Sequence, residues 1–139
     1  VVDYAHTPDA LENAMKTLRE HYPESKLRVL FGCGGNRDVG KRAKMGKIAS
    51  ELADSIILTN DNPRNEEAQN IIDDIQVGIK EGFEAEVILD RELAIQTAIT
   101  TLSEDECLLI AGKGHETMQT IGTQVLPFSD IQVAENALI

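Results

Sequence analysis

Asp61-Asn62-Pro63-Arg64 gathers a carboxylate, an amide and a guanidinium into four residues, directly after the apolar run Ile56-Ile57-Leu58-Thr59. The end of such a run is where an open α/β sheet presents its ligands. Pro63 fixes its own φ and pushes Asn62 towards extended conformations, so the turn is stiff. A stiff turn that aims an amide and a guanidinium at one point suits a small molecule bearing a carboxylate. The same residues also fit a plain strand-to-helix turn with a solvated Arg.

Three further segments carry candidate chemistry. Gly35 to Arg42 nearly matches the phosphate-cradling pattern G-x-x-x-x-G-K-[ST], but Arg42 replaces the hydroxyl residue that would ligand magnesium. A Gly-rich loop that positions Arg37 at a helix N-terminus to hold an anion fits better. Asp3-Tyr4-Ala5-His6-Thr7-Pro8-Asp9 places a carboxylate and an imidazole three residues apart, able to pair with a ribose diol and to stack on an adenine. Helix capping by Thr7 or Asp9 is compatible with the same residues. In Gly112-Lys113-Gly114-His115-Glu116 the glycines allow close approach to the backbone, and Glu116 is a candidate cation binder or an ordinary surface glutamate.

The chain has 139 residues and 42% hydrophobic content, enough for one domain with a real core. A net charge of -11 argues against nucleic acid or an anionic membrane as partner. Against it, Arg37, Lys41, Arg42, Lys44 and Lys47 put five of the 13 basic residues into one short stretch. That clustering suggests a local anionic ligand, or else a solvated helix face. Cys33 and Cys107 are isolated, without CxxC spacing or a His/Cys cluster, and read as reduced core residues of a cytoplasmic protein. No apolar run reaches membrane-spanning length, and the abrupt start at Val1-Val2-Asp3-Tyr4 reads as a strand end in a piece of a longer chain.

The elements that must position these loops follow from periodicity. A helix is expected from Pro8 to about Tyr22, with Leu11, Ala14, Met15 and Leu18 on one face. A strand over Leu27–Phe31, the Gly-rich loop to Gly40 and a helix to about Ala53 come next. A strand over Ser55–Thr59 precedes the Asp61–Arg64 turn, and a helix over about Glu66–Glu81 uses Ile71, Ile72, Ile75, Val77 and Ile79. Then come a short strand Glu86–Leu89, a helix capped by Asp90 to about Leu102, and a buried strand Cys107–Ala111. A β-ribbon over about Thr117–Leu126 around Gly122 and a helix capped by Ser129 to Ile139 complete the chain. The fold class is α/β, Rossmann-like, with a mostly parallel sheet, helices on both faces and a short β-ribbon near the C-terminus.

Taken together, the Asp3–Asp9 loop, Phe31-Gly32-Cys33-Gly34-Gly35-Asn36-Arg37-Asp38, Asp61–Arg64 and Gly112–Glu116 resemble the C-terminal domain of the MurE-type Mur ligases. The resemblance spans essentially the whole chain in the expected order; Asn36 stands where many members have Asp. It implies that residues 1–139 form the C-terminal, amino-acid-binding domain of a three-domain ligase, docked in cis on a central ATPase domain. It implies ATP-driven amide formation through an acyl phosphate, adding meso-diaminopimelate to UDP-N-acetylmuramoyl-L-alanyl-D-glutamate in peptidoglycan synthesis. By position, Arg37, Asp61, Asn62, Pro63, Arg64, Gly112 and Glu116 match the meso-diaminopimelate site, while Asp3 and His6 match nucleotide contacts. ATP and Mg2+ are the implied cofactors; the P-loop, the magnesium ligands and the carbamylated lysine belong to the central domain. No catalytic or metal residue is expected here, and the isolated piece is expected to be inactive. The competing readings are the C-terminal domain of another Mur ligase or of a folylpolyglutamate synthase, or a stand-alone amino-acid or nucleotide binding module.

Overall fold

The computed structural model describes all 139 residues. Five strands form one wholly parallel sheet: β1 (Val2–Asp3), β2 (Lys26–Phe31), β3 (Ser55–Leu58), β4 (Glu86–Val87) and β5 (Glu106–Ala111), in the order β1-β5-β2-β3-β4. Helices α1 (Pro8–His21), α2 (Gly40–Leu52), α3 (Ala68–Gly78) and α4 (Arg91–Thr100) connect successive strands. An antiparallel ribbon, β6 (Met118–Ile121) with β7 (Gln124–Pro127), and the last helix α5 (Asp130–Ala137) follow β5. The expected fold class is therefore present. No helix is long and apolar enough to cross a membrane.

Side chains alternate across the pleat, and both faces are apolar, as a parallel sheet covered on two sides requires. Leu27, Val29 and Phe31 of β2, with Ile56 and Leu58 of β3, pack against Leu11 and Met15 of α1, Met45 and Ala49 of α2, and Ile71, Ile72 and Ile75 of α3. Leu30, Ile57, Leu108 and Ile110 point the other way, against Ala94, Ile95 and Ala98 of α4, with Val133 and Ala134 of α5 beside them. Thr7 caps α1 by accepting from the Ala10 amide at 3.2 Å, and Asp90 and Ser129 cap α4 and α5 in the same way.

Some elements are shorter than the periodicity suggests. α3 starts at Ala68, not Glu66, because Glu67 is extended and the Glu66 carboxylate is drawn away to Arg42 and the Asn36 amide. It ends at Gly78, where a Cβ would lie 1.7 Å from the Ala43 carbonyl of α2, and Ile79 turns extended. Val77, expected among the apolar residues of this helix, is 80% exposed. β4 keeps two residues of the expected four, α4 stops at Thr100 and α5 at Ala137.

One buried ion pair ties the two helices of the second face to the sheet. Arg91 and Asp130, both fully buried, meet through two parallel bonds of 2.7 Å, from Nε to Oδ1 and from Nη2 to Oδ2. The remaining donors of Arg91 reach the carbonyls of Asn60 and Ala111, just beyond β3 and at the end of β5.

Candidate functional site

The four loops singled out by residue type all leave the C-terminal ends of neighbouring strands: β1, β5, β2 and β3. β5 lies between β1 and β2, yet its continuation crosses to the α4/α5 face while α1 and α2 cover the opposite one. Such a reversal opens a crevice at the strand ends. It holds a cleft of about 520 Å³, lined by Tyr4, His6 and Thr7 after β1, and by Gly34, Arg37, Asp38 and Lys41 after β2. Asp61, Asn62 and Arg64 after β3, with Gly112 and Glu116 after β5, complete the lining.

Two of the cleft's arginines converge at Gly34. A Cβ built on Gly34 would stand 2.8 Å from Arg64 Nη1 and 3.4 Å from Arg37 Cγ, so both arginine side chains converge over a position that has no side chain. Arg64 holds its place by donating from Nη1 to the Gly35 carbonyl at 2.9 Å and the Asn62 carbonyl at 3.4 Å, which leaves Nε and Nη2 free. Its backbone is left-handed, with φ at 51°, and is clipped to the ribbon: its amide donates to the Thr120 carbonyl at 3.1 Å, and its carbonyl accepts from the Gly122 amide. Lys41 reaches across to donate to the His6 carbonyl at 2.9 Å.

Asp61 and Glu116 bring acidic groups to the same cleft. Asp61 is buried, and a Cβ on Gly112 would come within 2.7 Å of its Oδ2; Gly112, at φ 118°, tolerates that approach because it has none. Glu116 is exposed on the rim. Beneath both lies Lys113, fully buried, 3.4 Å from Asp61 Oδ1 and 3.9 Å from Glu116 Oε1. Burial pulls Lys113 below the ordinary lysine range, and the neighbouring Asp61 works against that pull. At the β1 end, the rings of Tyr4 and His6 meet edge-on at 4.6 Å.

Two residues expected at the site do not line the cleft. Asp3 ends β1 with its Oδ1 accepting from the Ala5 amide at 2.9 Å, turned onto its own chain beside α1 and away from His6. Pro63 packs under the Gly-rich loop, where a Cβ on Gly35 would collide with its carbonyl at 1.8 Å. Asn62 borders the cleft, but its Oδ1 points inward, accepting from Lys113 Nζ at 2.7 Å and from the Thr120 amide at 3.0 Å.

The basic stretch divides. Arg37 and Lys41 border the cleft, and Lys44 and Lys47 are exposed elsewhere. Arg42 is not an anion binder at all. It is fully buried, bonded to Glu66, to Asp74 and to the Gly34 carbonyl, and so locks the Gly-rich loop to the loop after β3. Asn36, at φ 53°, adds to the lock by accepting from the Asn65 amide. The hydrogen bond from Arg42, and then that from the Asn36 amide, hold the Glu66 carboxyl below its usual value of 4.5. A carboxyl depressed on folding stabilises the fold above that usual value and loses the contribution as pH falls through the lower, folded one. The melting-temperature gap between the native chain and Glu66→Gln should therefore narrow on acidification below 4.5. A gap that is constant with pH would refute this assignment.

Cys33 is unsuited to act as a nucleophile. Cys33 packs against the Met45 sulfur at 3.6 Å, and burial pushes its thiol up to about 12. No group of three or more His, Cys, Asp or Glu side chains could hold a metal ion.

The family described as "Mur ligase, glutamate ligase domain" matches residues 1–114. The chain belongs to the Mur ligase family. It is 55% identical over 138 residues to the UDP-N-acetylmuramoyl-L-alanyl-D-glutamate--2,6-diaminopimelate ligase of Coxiella burnetii, and 51% identical to that of Leptospira interrogans. These alignments cover 99% of this chain but only 28% and 27% of the relatives, so the chain spans little more than a quarter of their length. A solved ligase of the same description superposes with a TM-score of 0.93 at 42% identity, covering 99% of this chain and 28% of that one. The UDP-N-acetylmuramate-alanine ligase of Thermotoga maritima shares the fold at 21% identity and a TM-score of 0.58, over 99% of this chain and 25% of that one. A folylpolyglutamate synthase of the same organism does so at 19% identity and a TM-score of 0.58, over 78% of this chain and 23% of that one. The chain is thus a Mur ligase C-terminal domain of the MurE type.

Lys113, Lys41, Asp38, Tyr4 and Thr7 were not assigned to the site from sequence. For Lys113 a signal was present: a lysine between two glycines at the end of a buried strand has little room to reach solvent.

Proposed function

We propose that this chain holds and orients meso-diaminopimelate for an ATP-dependent Mur ligase, which joins it to UDP-N-acetylmuramoyl-L-alanyl-D-glutamate in the cytoplasm. The observation that carries the reading is that one cleft holds both kinds of group: Arg37 and Arg64 converging at Gly34, and Asp61 beside Gly112 with Glu116 on the same loop as that glycine. The distal end of meso-diaminopimelate bears a carboxylate and an ammonium on one carbon, and so presents the complementary pair. The free donors of Arg64, with Arg37, grip the carboxylate in a fork that a guanidinium provides and an ammonium does not. Asp61, Glu116 and the Gly112 carbonyl accept from the ammonium. The amine at the far end is left to attack the acyl phosphate of the dipeptide. The contribution of this domain is positioning, which turns an encounter between two substrates into a reaction within one complex.

The Tyr4/His6 end, with Lys41 between it and the arginines, fits the adenosine side of a nucleotide shared with a central ATPase domain in cis. ATP supplies the phosphoryl group that activates the dipeptide carboxylate. Asp3, turned onto Ala5 here, reaches a ribose only if that turn opens. In this reading Mg2+ is held by the central domain.

The test is amino-acid dependence in the full-length parent enzyme. Meso-diaminopimelate should support product formation, and L-lysine, which lacks the distal carboxylate, should do so poorly. Efficient use of L-lysine would overturn the reading.

A further inference from the structure

We propose that Lys113 is a positioning residue of the amino-acid site, a buried cation that fixes the acids presented to the substrate ammonium. The inference rests on the amino-acid cleft proposed above, and none of that site's assignments uses this side chain. Lys113 is fully buried; its ammonium donates to Asn62 Oδ1 at 2.7 Å and the Met118 carbonyl at 3.1 Å, and pairs with Asp61 Oδ1 at 3.4 Å. It does not line the cleft and so meets no ligand directly. Lys113 therefore acts through its neighbours.

Those neighbours come from two segments far apart in sequence. Asp61 and Asn62 follow β3, Met118 opens the ribbon, and Glu116 follows β5. Further bonds surround the lysine: Gln119 Nε2 donates to the Asp61 carbonyl at 2.8 Å, and the Thr120 amide donates to Asn62 Oδ1 at 3.0 Å. Lys113 is the charged centre of this cluster. With Oδ1 of Asp61 held by Lys113, Oδ2 stays on the Gly112 side of the cleft.

Charge balance gives the arrangement a second purpose. Asp61 and Glu116 are two negative charges against one substrate ammonium, and Lys113 supplies the missing positive charge from below. An apolar residue at position 113 would leave Asp61 buried without a countercharge, and Asn62 with one donor fewer. A side chain that has lost its buried partner reorganises or takes up a proton. Either response removes an acceptor from the ammonium while leaving the arginines and the nucleotide end intact.

The experiment compares native enzyme with Lys113→Met and Lys113→Gln in the full-length ligase, using whichever amino acid the native enzyme prefers. A failure of the meso-diaminopimelate reading, seen as a different preferred amino acid, is thereby separated from a failure of this inference. Thermal melts and the KM for ATP report folding. Lys113→Met should raise the KM for the amino acid by about 30-fold or more, the loss typical of a broken buried charge pair, with the KM for ATP unchanged. Lys113→Gln keeps hydrogen-bond donors without charge and should be restored only in part. An amino-acid KM equal to native in the folded variants would overturn the proposal, as would equal rises in both KM values. If neither variant folds, the ¹⁵N resonance of the Lys113 ammonium in native enzyme decides. It should shift on adding the amino acid and not on adding a non-hydrolysable ATP analogue; any other pattern overturns the inference.

Discussion

Arg64→Ala in the full-length ligase is expected to cut kcat/KM for meso-diaminopimelate by roughly 10³- to 10⁴-fold while leaving the KM for ATP nearly unchanged. Removing one partner of a buried, charged hydrogen bond costs about 2–5 kcal/mol. Sites built around such a bond reject the analogue that lacks it by roughly 10⁴-fold. Two controls separate the guanidinium from the backbone. Arg64 sits at φ 51°, so Ala there retains a left-handed strain that Gly does not. Arg64→Gly should therefore fold at least as well and lose as much activity. Arg64→Lys should recover little, because an ammonium cannot both brace the Gly35 carbonyl and fork onto a carboxylate. L-lysine should remain a poor substrate for all three variants, since it brings no distal carboxylate to the remaining Arg37. If Arg64→Gly retains native efficiency, the turn rather than the side chain selects the amino acid.

The largest stability effect is expected at the buried pair between α4 and α5. Asp130→Ala leaves a fully buried Arg91 guanidinium with its two shortest bonds gone. Breaking one side of such a pair costs about 3–5 kcal/mol, a large share of the roughly 5–15 kcal/mol that holds a domain folded. Replacing both, as Arg91→Met with Asp130→Leu, should recover most of the loss. What hurts is the unpaired charge, while the pair itself stands near balance with an apolar filling. Urea titrations of the single and double variants measure this. A single variant within about 1 kcal/mol of native, the range of an exposed pair, would show that water reaches Arg91.

The strands were legible because each is an apolar run, and the four site loops because each follows one and holds polar residues with glycine or proline. Their convergence was less so. That β5 inserts between β1 and β2 is set by pairings far apart in sequence, such as Val2 with Ile110 and Leu30 with Ile110. The two faces of Arg42 illustrate another limit. Its place in a basic stretch suggests a ligand, but Glu66 and Asp74, which claim it, lie 24 and 32 residues further on. Asp3 and His6 share a loop in sequence, yet they border different clefts, with Asp3 Oδ1 taken by the Ala5 amide. Arg64, singled out for its residue type, does border the cleft, whereas its left-handed backbone has no signature in residue type, being held by hydrogen bonds to the ribbon.

The bonds between the ribbon and the turn bear on how the proposed amino-acid site could be exchanged. Asp61 to Arg64 is splinted by Gln119, Thr120 and Gly122, more than fifty residues downstream. A graft of the four-residue turn into a relative with another amino-acid preference transfers the chemical groups and leaves the splint behind. The minimal portable unit is discontinuous: the turn, the Gly112–Glu116 loop and the hairpin after it must move together. Drift in any one of the three is felt first as lost selectivity, before the fold itself gives way.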